Sequence, residues 1–279
     1  MSALLQDPAD LESQEIGSTT HRLGDQIEAR DAASDQDQVV MPPPGYSGVA
    51  EPTTAFHTFL EHTTTLLFPI LFVPNFYFPL DRLYELELLW LGLLAIPIAL
   101  VLGDFIGGLV HWVADTYFSE DTPILGQALI RPFRQHHIYP RDITTHNLVS
   151  IVGNVCILAV PVLSLCLYLL WISDHPFLAF VTLCTALMVA ATVATNLFHK
   201  WAHQERPVDG VRWLQRARLV LEPRHHQLHH TEPFNMHYCI TNGWLNPFLN
   251  RIGFFRKLEA MLKIIGIQAT RDGSVTHVK

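Results

Sequence analysis

The sequence is short of charge. Asp, Glu, Lys and Arg make up 16% of its 279 residues, against about 25% in an average soluble protein. Hydrophobic residues reach 49%, and mean hydropathy is +0.22. That balance argues against an ordinary soluble globule and for a membrane protein. Cysteine is scarce as well. Cys156, Cys166 and Cys184 lie in apolar runs, and Cys239 has no paired spacing with them. A disulfide framework is not expected, and all four read as small buried hydrophobes. The chain has no GxGxxG, no CxxCH and no cysteine cluster, so it carries no flavin, haem or iron–sulfur signature of its own. No apolar h-region opens it, and no cleaved signal peptide is expected. No nucleic-acid partner is expected either.

Residues 1–50 are short of basic residues and aromatics. They hold nine Asp/Glu and two Arg, which is −7 of the net −8. Such a segment cannot bury enough apolar surface to offset its ordering entropy. It reads as a disordered acidic tail ahead of a membrane-bound domain over 51–265, with a C-terminal tail over 266–279.

What the chain has is long apolar runs. Residues 148–172 make 25 positions without a charge, and residues 177–198 make 22 more. Each is long enough to cross a hydrocarbon core of about 30 Å as a helix. The SDHP sequence at 173–176 joins them as a tight turn. Residues 86–103 form a third span with Pro97 inside it. The run at 62–80 holds prolines at 69, 74 and 79, and is expected to be either a broken span or a re-entrant segment. The fold class is therefore an all-α integral membrane protein of about four transmembrane helices. Residues 199–279 hold twelve of the eighteen Lys/Arg, and 117–147 hold three more. The excess of basic residues puts both segments on the cytoplasmic side.

Histidine is abundant, at sixteen residues, and much of it falls just beyond span ends on that same side. GDFIGGLVHWVADTY (103–117) continues helically from the third span. Asp104, Gly108, His111 and Asp115 are spaced 4, 3 and 4 and share one helical face. The bland alternative is polar contact between helices eased by Gly107 and Gly108. RPFRQHHIYPRDITTHN (131–147) carries His136, His137 and His146, with Pro132 and Pro140 framing a short helix or turn. HKWAH (199–203) places His199 and His203 at i and i+4; the lack of a Glu after the first His rules out an HExxH protease. HHQLHH (225–230) contains His225 and the HxxHH pattern of His226, His229 and His230. On a helix, His229 and His230 diverge by about 100°, which suits two ions rather than one.

One structural zinc takes four ligands, so eight imidazoles plus carboxylates fit two ions better. A pH sensor could also use histidine, but it has little need of i, i+4 and HxxHH spacings together. Ligand type alone leaves Fe, Cu, Zn and Ni open. Asp104 and Asp115 are each placed to accept an N–H from a ligating imidazole, and Asp115 is equally placed to ligate directly. His237 reads as a surface or core histidine, with a stray ligand as the alternative, and His21, His57, His62, His175 and His277 match no motif.

These four stretches, with RHHQLHHTEPFNMHYCITNGWLNPFLNRIGFFRKLE (224–259), resemble the plasmanylethanolamine desaturase family, also called the Kua or transmembrane-protein-189 type lipid desaturases. The resemblance covers roughly residues 86–260. It implies an O₂-dependent di-iron desaturase with a cytoplasmic histidine-rich helical cap. Its substrate would be an ether phospholipid, whose O-alkyl chain gains a 1′–2′ vinyl ether double bond on the way to a plasmalogen. The implied ligands are His111, His136, His137, His199, His203, His226, His229 and His230. Plastid relatives depart at the positions of His146 and His225, which rank below these eight with Asp104 and Asp115. The alternative is a related di-iron fatty-acyl desaturase or lipid hydroxylase. Two electrons per turnover must come from an external donor of cytochrome b5 or ferredoxin type. The basic C-terminal region, with twelve Lys/Arg against six Asp/Glu, would face that donor or anionic headgroups.

Overall fold

A computed structural model describes residues 54–123 and 125–270. The acidic stretch 1–50 and residues 271–279 lie outside the described residues. Among the described residues the fold is all-α, with no strand.

Four helices are long and apolar enough to cross a membrane: α1 (Ala55–Glu85), α2 (Leu89–Thr116), α4 (Leu148–Ile172) and α5 (Pro176–His203). Between α2 and α4 lie a π-helical turn (Gly126–Ile130), the short α3 (Arg131–Ile138) and a 3₁₀ turn (Asp142–Thr145). Beyond α5 come α6 (Asp209–Arg216), α7 (Pro223–Gln227), α8 (Asn246–Arg251) and α9 (Phe254–Ile264). The chain is a multi-pass membrane protein. Its long helices carry apolar side chains outward, such as Leu66 at 71% and Leu158 at 70% exposure. A hydrocarbon solvent accepts such a surface, whereas water does not.

Local sequence sets the helix starts. Asn147 Oδ1 accepts from the Ser150 N–H at 3.0 Å to open α4, a strong N-cap. His175 Nδ1 accepts from the Phe177 N–H at 3.2 Å, with Pro176 in the first turn of α5, where a missing N–H costs nothing. The 173–176 link therefore closes the expected α4–α5 hairpin.

The proline-bearing run at 62–80 is neither broken nor re-entrant. It lies inside α1, which is continuous through Pro69, Pro74 and Pro79. Neighbouring helices support a span against the loss of single backbone bonds. α1 packs chiefly on α4, and the fully buried Asn75 donates to the carbonyls of Leu71 (2.9 Å) and Leu163 (3.0 Å). α2 packs chiefly on α5. Gly103 permits the approach, since a Cβ there would sit 2.9 Å from Ala191 Cβ; small residues serve this purpose between spans. Asn196 Nδ2 donates to the Ile151 carbonyl at 2.9 Å and ties α5 to α4.

The last 13 residues of α2 and the last turn of α5 extend past their apolar cores into the region of α3 and α7. The chain then closes over this end. Thr270 N–H donates to the Thr116 carbonyl at 2.9 Å, and Arg134 Nη2 donates to Thr270 Oγ1 at 3.1 Å. The described part of the expected C-terminal tail is thus tied to the end of α2.

Candidate metal centre

The four histidine-bearing segments meet at this end of the bundle. Their side chains fall into two groups of possible ligand atoms, each with all its atoms within 4.8 Å of one another. The first is His136, His199, His203, His226 and His230. The second is His111, Asp115, His137 and His229.

Each segment contributes by its local geometry. His199 and His203 lie one turn apart at the end of α5. α3 places His136 and His137 side by side, so they face different groups. The helical part of HHQLHH is shorter than a full helix. α7 ends at Gln227, but the His229 and His230 N–H groups still donate to the His226 carbonyl, at 2.9 and 3.4 Å. That near-helical turn keeps His230 over His226 in the first group and swings His229 to the second. The divergence expected between neighbours on a helix is what divides them.

In the first group the Nε2 atoms crowd together. His203 lies 3.0 Å from His136, 3.3 Å from His199 and 2.9 Å from His226, and His226 lies 3.0 Å from His230. Nitrogens bound at about 2.0–2.1 Å to one ion, at right angles, stand about 3 Å apart. In the second group Asp115 Oδ2 lies 3.1 Å from His137 Nε2, 3.3 Å from His229 Nε2 and 3.4 Å from His111 Nε2. The two groups adjoin: the His137 and His230 rings are 5.0 Å apart, and those of His226 and His229 5.8 Å.

The setting keeps several of these rings neutral. Burial, reinforced by the neighbouring imidazoles, holds His136, His226 and His230 well below the ordinary histidine range. Burial also lowers His229, with Asp115 opposing it. A neutral imidazole has the lone pair that a metal needs. Several polar atoms are buried without a hydrogen-bond partner among the described residues. They include His111 Nε2, Asp115 Oδ1, His137 Nδ1, His226 Nδ1 and His230 Nδ1. Such orphaned atoms are costly unless something else satisfies them. The donor set, its crowding and the orphaned His111 Nε2 fit a pair of bound metal ions. Neither group contains a thiol. All four cysteines are free and buried, and burial pushes the Cys239 thiol up.

Two imidazoles are held from behind by backbone. His111 Nδ1–H donates to the Tyr238 carbonyl at 3.1 Å, and His229 Nδ1–H donates to the Met236 carbonyl at 2.8 Å. Each bond fixes the tautomer and leaves Nε2 free to ligate. Sequence reasoning missed both acceptors, because a carbonyl leaves no mark on residue identity.

The remaining candidates lie elsewhere. Asp115 stands inside the second group, as one of the two roles open to it required. Asp104 touches no imidazole of either group. Its Oδ1 accepts the N–H groups of Thr241, Asn242 and Gly243 at 3.0–3.1 Å, and its Oδ2 that of Leu245 at 3.3 Å. The expectation that Asp104 orients a ligating ring directly is corrected accordingly: a backbone turn takes up its lone pairs. His146 pairs with Asp142 at 3.2 Å. His225 contacts His237 at 3.2 Å and Asn246 at 3.0 Å. Neither His146 nor His225 belongs to either group.

Four helices long and apolar enough to cross a membrane, capped by two adjoining histidine groups, define a class, the multi-pass membrane proteins with a histidine-rich cap. Within that class the chain belongs to the lipid desaturase family, whose domain matches residues 100–272. It is 42% identical over 175 residues to a plasmanylethanolamine desaturase of Myxococcus xanthus, covering 62% of this chain and 61% of that one. It is 38% identical over 181 residues to plasmanylethanolamine desaturase 1 of Mus musculus, covering 62% and 65%. A chloroplastic fatty acid desaturase 4 of Arabidopsis thaliana is 33% identical over 162 residues, covering 57% and 48%. The match thus spans less than two thirds of the length of these relatives. No solved structure matches the chain. The resemblance read from the histidine motifs agrees with these relatives.

Proposed function

We propose that this chain is a di-iron, O₂-dependent desaturase that forms the 1′–2′ vinyl ether double bond of an ether phospholipid. The convergence of eight imidazoles and Asp115 into two adjoining groups carries the reading. The names of two relatives, those of Myxococcus xanthus and Mus musculus, support the substrate class.

The proposed ligands are His136, His199, His203, His226 and His230 for one ion, and His111, Asp115, His137 and His229 for the other. Bound iron would supply the oxidising power that an unactivated C–H bond demands and side chains lack. The protein's own part is positional. The carbonyls of Tyr238 and Met236 aim His111 and His229. Burial keeps His136, His226 and His230 neutral and would keep water away from the site. Removal of two hydrogens from the chain gives two electrons and two protons. Reduction of O₂ to two waters takes four of each, so an outside carrier must bring the other two electrons.

That carrier is proposed to be an acidic protein of cytochrome b5 or ferredoxin type, met on the cytoplasmic side by the basic segments beyond α5. The catalytic domain is proposed to occupy residues 51–265.

The test is lipid mass spectrometry with acid treatment. The full chain is expressed in a host without vinyl ethers and supplied with an alkyl ether phospholipid. The expected product is an acid-labile species two hydrogens lighter, absent from His230→Ala. An iron-loaded, reduced protein that leaves the ether chain unchanged but desaturates an acyl chain would favour the second reading, a fatty-acyl desaturase. The similarity to the Arabidopsis thaliana fatty acid desaturase supports that alternative. A product carrying an added oxygen would indicate a lipid hydroxylase.

A further inference from the structure

Asp104 is a fully buried carboxylate inside a membrane-crossing helix, and the metal groups do not use it. Ionisable groups in that setting are expensive to keep. Here four backbone N–H groups of residues 241–245 point at its two oxygens. The turn they form is secured further toward the metal groups. Asn246 Oδ1 accepts the Cys239 N–H at 3.0 Å, and its Nδ2 donates to the Cys239 carbonyl at 2.7 Å. Cys239 in turn lies on Gly108, where a Cβ would come 2.6 Å from its Sγ. The next residue back is Tyr238, whose carbonyl holds His111, and two before it is Met236, whose carbonyl holds His229.

The stripe on α2 thus has a division of labour. Its first half, Asp104 and Gly108, docks the segment 236–246. Its second half, His111 and Asp115, enters the second metal group. The docked segment then returns to hold two of that group's imidazoles. We propose that Asp104 is a positioning residue that sets the second metal group through the 236–246 segment. The inference rests on the two-metal reading. The first group has no carbonyl from this segment among its contacts, so the effect is selective for one ion.

The test is metal binding to the full chain in detergent, with Co(II) as the probe. Its visible bands report ligand number and geometry. Wild type is expected to bind about two ions. Asp104→Ala is expected to keep the first and to lose affinity for the second by about 10- to 100-fold, as changes to the groups behind metal ligands do. Asp104→Asn keeps an acceptor for three of the N–H groups but turns an N–H₂ toward Leu245. It is expected to bind two ions with shifted visible bands.

Asn75→Ala is the control. It also removes a fully buried polar group from a span, but one bonded to Leu71 and Leu163. It is expected to keep both ions and the wild-type spectrum. Equal loss of both ions in Asp104→Ala and Asn75→Ala would mean that Asp104 acts only on stability, and would overturn the proposal. So would a wild-type spectrum and stoichiometry in Asp104→Asn. If Asp104→Ala fails to fold, Asp104→Asn decides alone. A wild-type chain that binds no Co(II) would instead bring down the two-metal reading itself.

Discussion

The ring of His111 and the carbonyl of Tyr238 lie 127 positions apart in the chain and 3.1 Å apart in space. His111 leaves one helix to enter the second metal group, and Tyr238 fixes which of its nitrogens faces that group. The pairing joins a membrane-crossing helix to a segment with no regular structure. Much of the site's behaviour follows from how such pairings are made.

His230 shows how the first group responds to a lost ligand. Its Nε2 lies 3.0 Å from His226 Nε2, and its ring packs against those of His136, His137 and His203. His230→Ala should leave the four spans inserted, because no span packs through it. Iron content should fall by about one ion per chain, and vinyl ether product should disappear. His199→Ala and His226→Ala should behave alike. Measured by metal analysis and product mass spectrometry, normal product from any one of them would remove it from the ligand set.

Asp115 is the only carboxylate in either group. Asp115→Asn keeps its size but replaces a charge that three Nε2 atoms share at 3.1–3.4 Å. The variant should fold, retain the ion of the five-histidine group and bind the other at least about 10-fold more weakly. Titration with Fe(II) under anaerobic conditions would measure this. Full affinity for two ions would show that Asp115 does not ligate.

Gly108 is predicted to be intolerant of a single methyl group. A Cβ there would meet Cys239 Sγ at 2.6 Å, and its Cα and N at 3.2 Å. The backbone of residue 239 cannot retreat without pulling on Tyr238. Gly108→Ala should lower stability by about 1–3 kcal/mol, the usual range for overpacking, and should reduce activity as well. Gly210→Ala, with nothing within 4 Å, should do neither. Equal thermal midpoints for the two variants would contradict the crowding argument.

Acid should weaken the metal-free protein. In the fold, His136, His226 and His230 sit well below their ordinary value of 6.5. Below that value the unfolded chain therefore binds more protons than the folded one. Stability rises with pH wherever this holds, so it is intact above about pH 6.5 and drains away as pH falls further. Thermal unfolding of chelator-treated protein in detergent, followed by helical signal, should show a falling midpoint from pH 7 to pH 5. A midpoint flat over that interval would mean that the rings are not held neutral by burial.

The reach of sequence reasoning can be traced through particular elements. Residues 148–172 were delimited from composition alone, and α4 has those bounds. Residues 62–80 were harder, because three prolines mark a break by local rules. Packing of α1 on α4 overrides those rules. Five of the eight histidines are legible from i, i+4 and HxxHH spacings, the full set comes from the family resemblance, and the opposing directions of His229 and His230 follow from helical period. Asp104 was legible as unusual, but its partners were not. They are N–H groups more than 130 positions away, and any residue but proline supplies one.

The sequence by itself determined the spans, the all-α class and the histidines that stand at the ends of helices. Those properties are set by short-range physics, through hydrophobic length and the 3.6-residue turn. Tertiary structure alone decided the sorting of the histidines into a group of five and a group of three with Asp115. It also decided that Asp104 grips a turn rather than a ring, and that two carbonyls aim the imidazoles. Convergence of atoms from four segments depends on how helices pack, and backbone groups that are alike at every residue acquire a role only from where the fold puts them.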